Sequence, residues 1–100
     1  MPRHTKIIAP IGPATASEND LLALLKADVN VFRFNFSHGS TEGKRAVIKL
    51  VRKLADREGL VVALLGDLQG PKIRTGKMKN GALTLLTGSD VTITTRDILG

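Results

Sequence analysis

Apolar positions along the first two thirds of the chain alternate between a strand period and a helix period. Lys6 to Ala9 reads as a short apolar strand, bounded by the turn residues Pro10, Gly12 and Pro13. Ser17-Glu18-Asn19-Asp20 has the form of a helix start, with Ser17 as the cap and Asp20 three residues on. Leu21, Leu24 and Leu25 follow at helical spacing. Val29 to Phe36, rich in β-branched and aromatic residues, predicts a second strand. Ser40 or Thr41 opens the next helix, with Glu42 in its first turn. Val47, Leu50, Val51 and Leu54 form its apolar stripe, while Lys44, Lys49, Arg52, Lys53 and Arg57 mostly lie off it. Gly59 fits the position after a helix, where positive φ is often needed. The continuous apolar run from Leu60 to Leu65 suits a parallel strand buried on both faces.

The resulting order is β-α-β-α-β, the signature of a parallel α/β sheet with right-handed crossovers. After Pro71 the pattern changes. Asn80-Gly81 and Gly88-Ser89-Asp90 are tight-turn signals, and Leu83 to Leu86 and Val91 to Thr95 read as short antiparallel strands. A boundary near Thr75-Gly76 divides the chain into residues 1–74 and 75–100. Three parallel strands with two helices leave open sheet edges, so each half reads as the start of something longer.

Composition narrows the class. With 42% hydrophobic and 24% charged residues, the chain is too apolar for a disordered tail. The absence of Cys excludes disulfide scaffolds and thiolate metal sites. The N-terminus lacks the apolar stretch of a signal peptide, and no run approaches the ~18 apolar residues of a membrane span. A reducing, cytoplasmic setting with no membrane partner is expected. The net charge of +6 implies an anionic partner or a solvated basic surface. The only aromatics are Phe32, Phe34 and Phe36, not interleaved with the basic residues. That argues against a base-stacking surface and against nucleic acid as the partner.

The second strand carries the richest chemistry. Side chains alternate faces along a strand, so Phe32, Phe34 and Phe36 share one face and Arg33, Asn35 and Ser37 the other. An inward Arg33 needs an anion. A salt bridge to an Asp or Glu and a phosphate or carboxylate ligand both satisfy it, and the strand alone leaves both open. Ser37-His38-Gly39 precedes a helix start, where backbone N–H groups receive anions or simply cap. The third strand runs into Asp67, the first charge after its apolar run. Ligands of parallel α/β proteins bind beyond the C-terminal strand ends, which would gather Arg33, Asn35 and Asp67 on one rim. A carboxylate, an amide oxygen and a hydroxyl form a hard oxygen set suited to a cation. Lys72 and Arg74 add positive charge in the loop that follows.

Together these residues resemble the pyruvate kinase family over essentially the whole chain. Thr5-Lys6-Ile7 with Ile11-Gly12-Pro13-Ala14 is similar to its opening strand and turn. Asn30-Val31, Arg33 and Asn35-Phe36-Ser37-His38-Gly39 are similar to its second-strand signature. Asp67 with Gly70-Pro71-Lys72-Ile73-Arg74-Thr75-Gly76 is similar to its junction between barrel and lid. The resemblance implies the first β-α-β-α-β part of a TIM (β/α)8 barrel of ~250 residues, then the start of a small antiparallel β lid domain. It implies phosphoryl transfer from phosphoenolpyruvate to ADP, giving pyruvate and ATP, with Mg²⁺ required and K⁺ required in many members. A homotetramer is implied for a full-length enzyme. Arg33 would contact the substrate phosphoryl group. Asn35, Ser37, Asp67 and the backbone carbonyl of Leu68 would hold the monovalent cation. Pro13, Asn35, His38 and Arg74 would lie by the nucleotide. No catalytic residue is expected in this segment, because the family's catalytic Lys, acidic Mg²⁺ ligands and proton-donating Thr lie further along. The 100 residues alone are expected to be inactive; a standalone phosphate- or nucleotide-binding module is the alternative.

Four positions depart from the family pattern. Pro10 replaces a Thr or similar small residue. Ala27-Asp28 replaces Gly-Met or Gly-Ala. Lys72 stands where potassium-dependent members carry Glu, and potassium-independent members tend to carry Lys. Lys72 would therefore substitute for the charge of K⁺ and make that ion dispensable.

Overall fold

The computed structural model describes residues 3–100. The chain divides into two compact units, one ending at Gly70 and the other running from Pro71 to Gly100. In the first, strand β1 (Ile8–Ile11) leads through a one-turn 3-10 segment at Pro13–Thr15 into helix α1 (Glu18–Lys26). Strand β2 (Val31–Asn35), helix α2 (Thr41–Glu58) and strand β3 (Ala63–Asp67) follow. The strands form a parallel sheet in the order β1-β2-β3. Ile8 to Ile11 align with Val31 to Phe34, and Val31 to Asn35 with Ala63 to Asp67.

Local chemistry sets the element ends. The Ser17 hydroxyl accepts from the Asp20 N–H at 3.1 Å, and the Ser40 hydroxyl from the Gly43 N–H at 3.1 Å, so each serine caps its helix. Both helices end in the same way. Val29 N–H reaches back to the Leu24 carbonyl and Asp28 N–H to that of Leu25. Leu60 N–H likewise reaches Ala55, and Gly59 N–H reaches Asp56. These are paired Schellman closures, which place Asp28 at φ +61° and Gly59 at φ +67°. Asn30 then starts the sheet. Its side-chain oxygen accepts from Ile7 N–H at 2.9 Å, while its backbone carbonyl accepts from Ala63 N–H at 2.9 Å.

One core serves this unit. Leu21, Leu25, Val29, Phe32, Phe34, Val51, Leu54 and Ala55 are buried together, with Ala9, Ile11, Val62 and Leu64 packed against them. Residues from both helices and the Phe face of β2 belong to that one cluster, so both helices cover the same face of the sheet. That is the winding of a barrel wall; a doubly wound sheet puts helices on both faces. Among the described residues, no helix is long and apolar enough to cross a membrane.

Two expectations require correction. The first strand runs through Pro10 and does not stop before it. Proline is tolerated there because β1 pairs with β2 alone and its other edge needs no donor. The third strand begins at Ala63, so Leu60 to Val62 precede it, and it is not buried on both faces: Leu65 is exposed, because only one face of the sheet has helices on it. Asp67 is the last residue of β3, at the strand end where the sequence placed it.

In the second unit the predicted turns form. Gly81 N–H closes a turn on the Met78 carbonyl at 3.0 Å, with Asn80 at φ +57° and Gly81 at φ +83°. Ser89 bonds back to the Leu86 carbonyl through its N–H at 3.1 Å and its hydroxyl at 2.7 Å, next to Gly88 at φ +82°. Leu83 to Leu86 and Val91 to Thr95, expected as antiparallel strands, form no strand. Met78 is half-buried and every other residue from Pro71 to Gly100 is exposed. A lone two-stranded ribbon with no covering layer is marginal in water, which accounts for the missing ladder.

Candidate functional site

All three strands point the same way, so their C-terminal ends form one rim. Pro13 lies in the exposed turn after β1, Ser37 and His38 after β2, and Leu68 after β3. The face opposite the helices carries Pro10, Arg33, Asn35, Leu65 and Asp67, and the ladder keeps them in register. Pro10 lies opposite Arg33, Arg33 opposite Leu65, and Asn35 opposite Asp67.

On this face Arg33 forms an ion pair with Asp67. Its Nε–H donates to Asp67 Oδ2 at 3.0 Å, and Nη2 donates to the same oxygen. The side chains keep 34% and 45% of their exposure, so burial does not force them together. The same end of the sheet is braced by backbone: Phe36 N–H donates to the Asp67 carbonyl at 2.9 Å. Asn35 turns its side-chain oxygen onto the Ser37 N–H at 2.9 Å and so begins the turn that leaves the strand.

His38 is exposed, and its carbonyl accepts from the Lys44 ammonium. Lys44 also sits 5.5 Å from the centre of the Phe36 ring, a cation–π arrangement. Sequence reasoning gave Lys44 no role beyond lying off the apolar stripe. The available signal was a lysine close behind the helix N-terminus, where the helix dipole disfavours positive charge and a local partner is needed. Lys72 and Arg74 belong to the second unit, are exposed, and make no ion pair among the described residues. The structure thus joins Arg33 to Asp67, registers Asn35 beside them, and sets Pro13, Ser37, His38 and Leu68 along the same rim.

A family model described as the pyruvate kinase barrel domain matches residues 2–100. The chain belongs to the pyruvate kinase family. It is 47% identical over 98 residues to the pyruvate kinase of Staphylococcus haemolyticus, covering 98% of this chain and 17% of that protein. It is 46% identical over 101 residues to that of Thermococcus litoralis, covering all of this chain and 21% of the relative. A crystal structure of Cryptosporidium parvum pyruvate kinase superposes with a TM-score of 0.68 at 35% identity, covering 76% of this chain and 16% of that one. The chain therefore spans about a fifth of the length of the pyruvate kinases it matches.

The family's cations can be tested against the residues present. Among the described residues no group of three or more His, Asp or Glu side chains is placed to hold a metal ion. The ends of β2 and β3 carry oxygens of the hard type that a monovalent cation takes. Asp67 Oδ1 has no hydrogen bond among the described residues, Asn35 supplies an amide oxygen, and Ser37 and the Leu68 carbonyl are next along the same two chain ends.

Proposed function

We propose that this chain is the first part of a pyruvate kinase barrel, and that its bare sheet face forms one wall of the site where phosphoenolpyruvate transfers its phosphoryl group to ADP. The observation carrying this reading is the half-exposed Arg33–Asp67 pair at the C-terminal strand ends, in a chain that is 46–47% identical to pyruvate kinases. The P–O bond to the enol oxygen breaks and a new P–O bond forms to the terminal phosphate of ADP. Negative charge spreads over the transferring group, and a fixed guanidinium such as Arg33 stabilises it. Asn35, Ser37, Asp67 and the Leu68 carbonyl are the proposed ligands of a monovalent cation, which would supply a further positive charge beside the phosphoryl group. Pro13, Asn35, His38 and Arg74 are proposed to line the nucleotide. Mg²⁺ would be held by acidic residues outside this chain. Residues 75–100 are read as the opening of the small antiparallel β lid domain. A cytoplasmic homotetramer completes the proposal.

The test is a chimera in which this chain replaces the matched residues of the Thermococcus litoralis relative. The chimera should convert phosphoenolpyruvate and ADP to pyruvate and ATP, while the 100-residue chain alone forms no pyruvate above background. Arg33→Met should lower the chimera's kcat/KM by roughly 10²–10³, the scale of one lost transition-state donor. A soluble, folded chimera with normal turnover after Arg33→Met would overturn the assignment. Lys72 adds a second readout. Turnover should rise less than about tenfold when K⁺ is added to a Na⁺-free assay, because a fixed ammonium would already supply that charge.

A further inference from the structure

We infer that Asp67 is a positioning residue, which holds the Arg33 guanidinium side-on and leaves its outer edge ready for a phosphoryl oxygen. This rests on the phosphoryl-binding role proposed for Arg33 and adds how that side chain is aimed.

The argument starts from the donor inventory. A guanidinium has five N–H groups in a rigid plane. The Nε–H and an Nη2 hydrogen lie along one edge, and both converge on Asp67 Oδ2. The remaining hydrogens, both on Nη1 and one on Nη2, have no partner among the described residues. One Nη1 hydrogen and the free Nη2 hydrogen form the end-on edge, the fork that matches two oxygens of a phosphate or carboxylate. Asp67 thus occupies the edge a phosphoryl group does not need and leaves the edge it does.

The backbone makes the holder rigid. Asp67 is the last residue of β3, is in register with Asn35, and has its carbonyl tied to Phe36 N–H at 2.9 Å. Arg33 is on the neighbouring strand, with its Cα opposite Leu65, so its side chain reaches two residues along the partner strand to meet Asp67. A long, flexible side chain is thereby ordered before any ligand arrives. Ordering it in advance lowers what binding must later cost in lost rotamer freedom. The pair's exposure supports this reading over a purely structural one. Ion pairs so accessible to water add little to stability, so the fold does not require this one.

The experiment uses the 100-residue chain, labelled with ¹⁵N at arginine. The Arg33 Nε–Hε resonance, identified by its loss in Arg33→Met, should be protected from exchange in the wild type. Phosphoenolpyruvate is then added, and binding is read from the slope of its ³¹P line broadening against added chain, which is measurable for weak binding and in every variant. Asp67→Ala should abolish the protection and reduce the slope roughly tenfold, the effect of losing about one charge-assisted hydrogen bond's worth of positioning. Asp67→Asn retains an oxygen acceptor and should fall between. In a buffer whose only monovalent cation is tetramethylammonium, too large for the oxygen set proposed at Asp67, Asp67→Ala in the Arg33→Met background should add less than about twofold, because its remaining role is exercised through Arg33. The remaining resonances report whether each variant is folded.

Unchanged protection and slope in Asp67→Ala would overturn the inference. So would multiplicative effects of the two substitutions, which would make Asp67 an independent ligand contact. If Arg33→Met leaves the slope unaltered, the phosphoryl-binding role of Arg33 fails, and the resonance still decides whether Asp67 holds the guanidinium. A wild-type slope of zero would overturn both.

Discussion

The two faces of the same three-stranded sheet do opposite work with residues one position apart. Phe32 and Phe34 point into the helix layer and are 0% and 3% exposed. Arg33 and Asn35, between and beside them, point to the bare face and remain half-exposed. The covered face holds the fold through buried apolar area, which is insensitive to the identity of its neighbours across the sheet. The bare face contributes an ion pair worth about 0–1 kcal/mol and a carboxylate oxygen, Asp67 Oδ1, with no hydrogen bond among the described residues. Stability and chemistry are therefore separated by the strand's period of two, and neighbouring substitutions should separate them experimentally.

The strongest test of that separation is Phe32→Ala. Phe32 is fully buried among residues of both helices. Its truncation should cost about 3–5 kcal/mol, a large share of the roughly 5–15 kcal/mol that stabilises a whole domain. Chemical denaturation of the chain should show either a much lower midpoint or no folded baseline. A loss under about 1 kcal/mol would mean that the core can close over the vacated volume.

The neighbouring residue should behave in reverse. Arg33→Met, expected to cripple turnover in the chimera, should change the denaturation free energy by less than about 1 kcal/mol. A destabilisation of the size expected for Phe32→Ala would make the Arg33–Asp67 pair a structural strut and erase the distinction between the faces.

The same contrast explains what was readable beforehand. The alternation Phe32-Arg33-Phe34-Asn35 reveals both faces, because period two is a local property of the backbone. The serine caps and Gly59 were equally legible, since each needs only residues next to it in the chain. The partner of Arg33 was not. The strand offered either an acidic residue or a ligand, and only the register between β2 and β3 brings Asp67 within reach. Burial of β3 was overread for a related reason. An apolar run records the layers a strand meets in a complete sheet, and here β3 is the outer strand with one face uncovered. Leu83 to Leu86 and Val91 to Thr95 carry strand-like sequence, but strands exist only as pairs within a covered sheet, and none forms here. Lys44 was given no role because its partners, the His38 carbonyl and the Phe36 ring, lie in a turn whose shape the sequence does not specify.

The smallest effect concerns how the chain returns to the covered face after each helix. The closures after α1 and α2 have matching hydrogen bonds and nearly equal positive φ, yet one uses Asp28 and the other Gly59. Gly59 takes that conformation without penalty, and a Cβ built there meets nothing within 4 Å. An aspartate tolerates it at some cost, on the order of 1 kcal/mol before compensation. Asp28→Gly removes that strain but gives the unfolded chain more freedom, so the net gain should be only about 0.5 kcal/mol, or a rise in Tm of about 2–4 °C. The carbonyl that accepts from Arg3 is retained in the variant. The complementary Gly59→Ala should lose about 1–2 kcal/mol through backbone strain alone. Neither substitution touches the bare face, so kcat/KM of the chimera should stay within about twofold of its parent at temperatures where both are folded. A drop in stability for Asp28→Gly would show that the aspartate side chain itself stabilises the turn. A large change in turnover would show that the helix returns and the bare face are coupled, and that the two faces are less independent than their exposures suggest.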